Sequence, residues 1–299
     1  MTGAGSATVA YTIEDEFGGG PGADPIWRQP GMNVSVTDLS IEQALQRMRH
    51  PDDPTPAGSR EGEWEGAVAV SFAITDDHFH DLIFADDGVR LPDTLMHVPT
   101  ATWYLGVDLP DGTTDARTPV GAAVVDATVQ YQRGEPNTAE LTMLVGDEPE
   151  DIDAPTAIET PSEDDVYTYH GCHFEVDGTA QALMQSASLS LSNLARMRRG
   201  QERKPFDAVT GAIEPSFSTD ATYTEADQNT LAYGTTTAGG IELVDAVPAT
   251  FSMENGQGET IEYALEGLQP TSYSWSDLVN PDTDLSEPLD YHVADVEAV

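Results

Sequence analysis

Two stretches of this 299-residue chain repeat each other, and the repetition limits the fold more than any other feature. Leu45-Gln-Arg-Met-Arg49 returns as Leu194-Ala-Arg-Met-Arg198. Just upstream, Leu39-Ser-Ile41 matches Leu189-Ser-Leu191 with one residue of slippage. Downstream, Gly66-Ala-Val-Ala-Val-Ser-Phe72 matches Gly211-Ala-Ile-Glu-Pro-Ser-Phe217. The three anchors keep their order at offsets between 145 and 150 residues. One five-residue match is within chance; three in order, with like segments between them, mark one fold used twice. A chain of this length holds two domains of about 150 residues. The expected division is 1–146 for the first copy, 147–165 for a linker and 166–299 for the second. Asp147 to Asp165 holds Pro149, Pro155 and Pro161 among many acids and has no sustained apolar period. That composition suits a linker, and equally an exposed acidic loop inside one domain.

Each copy reads as mainly β. Alternation and β-branched or aromatic residues predict strands at 7–13, 33–41, 66–74, 102–109, 121–132 and 139–145. After the linker they resume at 167–176, 182–191, 211–217, 249–253, 259–265, 272–278 and 289–296. The Asn255-Gly256 pair between two such runs is a hairpin signal. One short helix is expected in each copy, Asp77 to Phe84 behind a Thr75/Asp76 cap and Glu225 to Tyr233.

The formal net charge is −41, from 53 Asp+Glu against 12 Lys+Arg, and Lys204 is the single lysine. Such a charge strains a compact fold by self-repulsion unless concentrated salt shortens the screening length to a few Å. Acids spread along the whole chain, with 39% hydrophobic residues in periodic runs, exclude a disordered acidic tail and point to a halophilic setting. Tight wrapping of nucleic acid is excluded too, because it needs Lys and Arg to neutralise phosphates. A single cysteine, Cys172, allows no intrachain disulfide. No run approaches the roughly 20 apolar residues of a membrane span, and the N-terminus lacks the pattern of a signal peptide. The expectation is a protein made in a cytoplasm and partnered with no membrane.

Eight of the twelve positive residues lie in two segments between paired strands. Arg47, Arg49 and Arg60 belong to the first, about 47–63; Arg196, Arg198, Arg199, Arg203 and Lys204 belong to the second, about 196–209. Both segments are expected to be long polar loops. In so acidic a protein these cations meet carboxylates, either on another subunit or within their own domain. Arg suits a subunit contact because its planar fork pairs with carboxylates at two points, and long, chemically distinct loops favour that use.

Chemical motifs are weak. His78 and His80 stand two apart and share no helix face, so surface histidines on an acidic helix are the better reading. His170-Gly-Cys-His173 lacks a set of four spaced ligands and any nucleophile context, and reads as a half-buried strand. Asn280-Pro-Asp-Thr-Asp284 with Glu287 lacks the glycine and spacing of a calcium loop. No phosphate-binding loop or nucleophile elbow is present. No catalytic residue, metal ligand or cofactor is expected, and an enzyme ranks last among the readings.

The segment Ala187-Ser-Leu-Ser-Leu-Ser-Asn-Leu194 through Gly211-Ala-Ile-Glu-Pro-Ser-Phe217 to Ala232-Tyr-Gly234, with the opening Val9-Ala-Tyr-Thr-Ile-Glu-Asp-Glu-Phe-Gly18, resembles the tail tube proteins of long-tailed viruses. The resemblance implies β-sandwich or barrel domains of two packed antiparallel sheets with a flanking helix. It implies rings whose inner sheets join, stacked into a tube that carries DNA from capsid to host. The long loop typically reaches the neighbouring ring. Most relatives carry one such domain and six chains per ring. Two copies here imply three chains and pseudo-sixfold symmetry, with hexameric rings as the runner-up. Other tail proteins would cap the tube, and DNA would pass the bore without specific binding. Ser186, Ser188 and Ser190 are candidates to face that bore. The alternatives are a distal tail or baseplate hub ring with the same fold, or an extracellular glycan- or calcium-binding sandwich. The four Trp, at 27, 64, 103 and 275, define no aromatic binding face in sequence.

Overall fold

The computed structural model describes residues 7–52, 55–85, 88–93, 95–150, 152–181, 183–222, 246–276 and 285–299. The strands of the first half are β1 (Ala7–Ile13), β2 (Met32–Gln43), β3 (Gln46–Arg49), β4 (Pro56–Arg60), β5 (Trp64–Ala73), β6 (Ala101–Asp108), β7 (Thr114–Arg117), β8 (Ala123–Gln132) and β9 (Thr138–Val145). Those of the second are β10 (Tyr167–Val176), β11 (Thr179–Ala180), β12 (Met184–Ser192), β13 (Ala195–Arg199), β14 (Pro205–Thr210), β15 (Glu214–Thr222), β16 (Val247–Asn255), β17 (Thr260–Tyr273), β18 (Ser286–His292) and β19 (Asp295–Ala298). The protein is mainly β and sandwich-like, as the alternating runs predict.

An inner sheet runs β2-β5-β9-β8-β12-β15-β18-β17, antiparallel throughout. Period-two alternation gives it one apolar face. One cross-strand row reads Phe72, Ala139, Val129, Leu189, Phe217 and Tyr291, all buried. Two outer sheets cover that face. β1-β6-β7 brings Tyr11, Trp103 and Leu105 onto the first half, and β10-β16-β17-β19 brings Phe174, Phe251 and Tyr263 onto the second. Both halves feed one continuous core. Phe174 and Phe251 pack as tilted rings against Phe217 with centroids 4.7 and 5.3 Å apart.

The inner sheet is two quartets in the same connection order, β2-β5-β9-β8 and β12-β15-β18-β17. Their registers coincide as well. Ala123, Val124 and Asp126 face Leu144, Met143 and Thr142, with a bulge before Asp126. Gln269, Pro270 and Ser272 face His292, Tyr291 and Asp290, with a bulge before Ser272. In each half one chain segment passes from outer to inner sheet at a glycine with left-handed backbone. Gly121 has φ +63° and Gly267 has φ +65°; a Cβ would meet the Phe17 ring at 3.1 Å in one and the Ala294 Cβ at 2.7 Å in the other. The third sequence anchor shifts by four residues. Gly211 corresponds to Gly62, not Gly66: a Cβ at either would lie 2.0 Å from a carbonyl, of Asn193 and Ala44 respectively.

Two expectations need correction. The first flanking helix is a 3-10 turn, His78–Leu82, and no α-helix occurs among the described residues. Its apolar stripe, Phe79, Leu82 and Ile83, covers one turn only, too little to carry an α-helix. The second expected helix, Glu225 to Tyr233, lies outside the described residues. The two Arg-bearing loops are instead two-stranded ribbons, β3-β4 and β13-β14. Backbone pairing of Arg47 with Ser59 and of Arg196 with Val209 closes each segment into a ribbon, which its polar composition did not signal.

Candidate assembly surfaces

The second face of the inner sheet is open and polar. One row crosses it as Ser71, Glu140, Thr128, Ser190, Ser216 and His292. The next reads Thr138, Gln130, Ser188, Ser218 and Asp290. Ser186, Ser188 and Ser190 all lie on this face, opposite Gln132, Gln130 and Thr128. Asp38, Glu65, Asp126, Glu214 and Asp220 add carboxylates at its other positions. No Lys or Arg occupies any strand of this sheet among the described residues. Among the described residues the sheet ends at β2 on one side and at the C-terminal part of β17 on the other.

The arms differ. On β13-β14, Arg199 donates to the Trp64 carbonyl at 2.9 Å and lies 3.7 Å from Glu65. Arg203 donates to the Gly62 carbonyl at 2.9 Å and pairs with Glu61. Lys204 pairs with Asp147, and Arg198 lies 3.3 Å from Asp207, over the ring of Phe206. The seat is the first half of the chain. Leu194 is 2% exposed and its amide donates to the Val125 carbonyl at 2.9 Å. Met197 packs on a small cluster of Ala123, Ala195 and Ala208. On β3-β4 the equivalent Leu45 and Met48 are 57% and 48% exposed. Arg47, Arg49 and Arg60 are exposed and make no ion pair among the described residues. Arg196 is exposed on the second arm.

The histidines and the cysteine build no reactive centre. His78 is exposed, but His80 is buried, correcting its assignment to the surface: Nε2 shares a 2.7 Å hydrogen bond with Tyr263 Oη. Burial lowers the His80 pKa to about 4. Burial also pushes the Cys172 thiol up to about 12, which leaves it protonated and a poor nucleophile. His170 packs as a tilted ring against Tyr169. Asn280 to Asp284 lie outside the described residues; Glu287 is buried and accepts from Tyr273 Oη at 2.6 Å. No cluster of three or more His, Cys, Asp or Glu suited to a metal occurs among the described residues. No helix among them is long and apolar enough to cross a membrane.

Sequence reasoning missed the seat itself, Gly62 to Glu65 with Asp147 and Val125, because its groups are backbone carbonyls and scattered acids. It missed Gly121 and Gly267 as well, although their spacing of 146 residues was a readable signal.

A sheet with one sealed face, one polar face and, among the described residues, two unclosed ends is the form of an assembly subunit. The chain matches the family model described as phage tail tube protein over residues 5–291, and it belongs to that family. It is a structural component of a virion tail that assembles with itself and with other tail proteins. No curated protein matches it.

Proposed function

We propose that this chain is the major subunit of a tail tube, with three copies per ring and six like sectors around a DNA-conducting bore. The observation that carries the reading is the open face of the inner sheet: eight strands whose face is mostly Ser, Thr, Gln, Asp and Glu with some Ala, without a Lys or Arg. A bore lined this way repels phosphate and lets DNA slide without adhering. The like registers of the two quartets support reading 1–146 and 166–299 as two tube domains, joined by 147–165. Three such chains supply the six sectors that single-domain rings build from six. Closing the sheet into a barrel removes its exposed edges. The role is mechanical and non-enzymatic, and the arms carry contacts between subunits. The net charge of −41 supports a halophilic host.

Electron microscopy of the purified protein in molar salt tests the reading. Threefold rings or tubes with a continuous bore are expected. A stable monomer with a saturable sugar or metal site would sink it. Copy number in purified particles separates a tube from a distal hub: hundreds of copies against a few.

A further inference from the structure

We infer that the β2 edge and the β3-β4 arm of one chain seat on the β17 edge of a second copy. The register is the one that β12, β13 and β14 take on β8 within the chain. The inference rests on the ring reading above and specifies its lateral joint.

The chain already contains one such joint. Residues 186–191 of β12 pair with residues 132–127 of β8. The Asn193 amide then donates to Asp126 Oδ1 at 3.2 Å and the Leu194 amide to the Val125 carbonyl at 2.9 Å. The β13-β14 arm lies down beyond, with its cations on Gly62, Trp64, Glu61 and Asp147. Most parts of the joint have a counterpart at the ends of the sheet; Glu61 has none, since it corresponds to the buried Thr210. Register places Asp126 with Ser272 and Val125 with Thr271, each pair 146 apart. It places Leu189 with Leu39, since these face Phe217 and Val68 in like positions. Transposed, Ser40 of one chain stands opposite Ser274 of the next, as Ser190 stands opposite Thr128 within the chain.

Surface chemistry agrees at both ends. The side chains that the internal joint buries are bare on the free arm: Leu194 is 2% exposed and Leu45 57%. Ile41 on the β2 edge is exposed at 41% and Trp275 beyond β17 at 42%, and the transposed joint brings these edges together. Charge matches too. Glu65 and Asp147, which receive Arg199 and Lys204, correspond to Glu214 and Asp295, both exposed. Of the first arm's cations Arg49 holds the matching place, since it faces Pro56 as Arg199 faces Pro205, and it approaches Glu214 of the neighbour. The joint is head-to-tail, so it closes only when the rotation returns to its start. Two sectors per chain close it at three.

Disulfide trapping tests the register. Opposed Cα atoms of an antiparallel pair lie ~4.5–5.5 Å apart, a span a disulfide closes. In a Cys172→Ala background, Ser40→Cys combined with Ser274→Cys should oxidise to covalent dimers and trimers and stop there. Each single variant should stay monomeric on a denaturing gel. A ladder beyond three would place the contact between stacked rings and overturn the inference. Intact rings without crosslinks would overturn the register and leave the ring reading standing. A wild-type chain that forms no rings would sink both. Leu45→Glu gives an independent readout. It should keep the β circular-dichroism spectrum of the monomer and abolish rings; rings at wild-type yield would overturn the joint.

Discussion

The two arms begin with nearly the same five residues and end in different surroundings. β13-β14 lies against the first half of its own chain, its Leu194 buried and four of its five cations bonded. β3-β4 stands with Leu45, Met48 and three arginines in solvent. The local sequence does not separate them, since Leu-x-Arg-Met-Arg is common to both. Position separates them. The second arm has a copy of the fold before it in the chain to lie on, and the first has none. An exposed apolar arm is therefore the sign of a missing predecessor rather than of a failed core.

Leucine truncation should break this comparison most sharply. Leu194→Ala removes a buried side chain and leaves a cavity, and should cost about 2–5 kcal/mol. Leu45→Ala should change the isolated chain by less than about 0.5 kcal/mol. Denaturant unfolding of the monomeric chain in molar salt measures both. Equal losses would mean that the first arm has a seat within its own chain, and the contrast would fall.

How much of this could be read beforehand follows the same division. Alternation located the strands well, because Val68, Val70 and Phe72 or Leu189 and Leu191 put a side chain into the core at every second residue. Ser186, Ser188 and Ser190 were legible as one polar face for the same reason. The ribbons were not. β3 and β13 alternate Arg with Met on a surface already rich in polar residues, so the period carries no hydrophobic contrast. The Gly66/Gly211 match looked right by composition and was four residues out, because the small residue that a backbone crossing demands sits at Gly62. The seat for the second arm was illegible: the carbonyls of Gly62 and Trp64 have no sequence signature. The short helix failed because three apolar residues at helical spacing make one turn, which packing can hold as 3-10.

The core joint between the halves is a control for the arms. His80 of the first half bonds Tyr263 of the second inside the core, away from either arm. Its pKa falls from 6.5 to about 4 through burial. Above pH 6.5 both folded and unfolded chains hold it neutral, and it contributes no pH dependence. As pH falls from 6.5 toward 4 the unfolded chain binds a proton that the folded chain refuses. Stability is lost through that window, by roughly 3 kcal/mol at its lower end. His80→Gln should flatten the slope between pH 6.5 and 4. Urea midpoints across that range decide it, and an unchanged slope in the variant would refute the assignment.

The smallest effect tests the charges of the arms. Arg199 holds the Trp64 carbonyl by a 2.9 Å hydrogen bond and Glu65 by a longer ion pair. Molar salt screens the ion pair and leaves the hydrogen bond, which is short-ranged. Arg199→Ala should therefore still cost about 1 kcal/mol in molar salt, since the half-buried carbonyl loses its donor. Arg49→Ala should cost nothing measurable in the isolated chain, because no partner is at hand among the described residues. Lowering the salt should raise the Arg199 cost as the Glu65 attraction returns. If Arg49→Ala instead destabilised the monomer as much as Arg199→Ala, its guanidinium would have an intrachain partner. The first arm would then be seated already, and the difference between the arms would be one of sequence rather than of position.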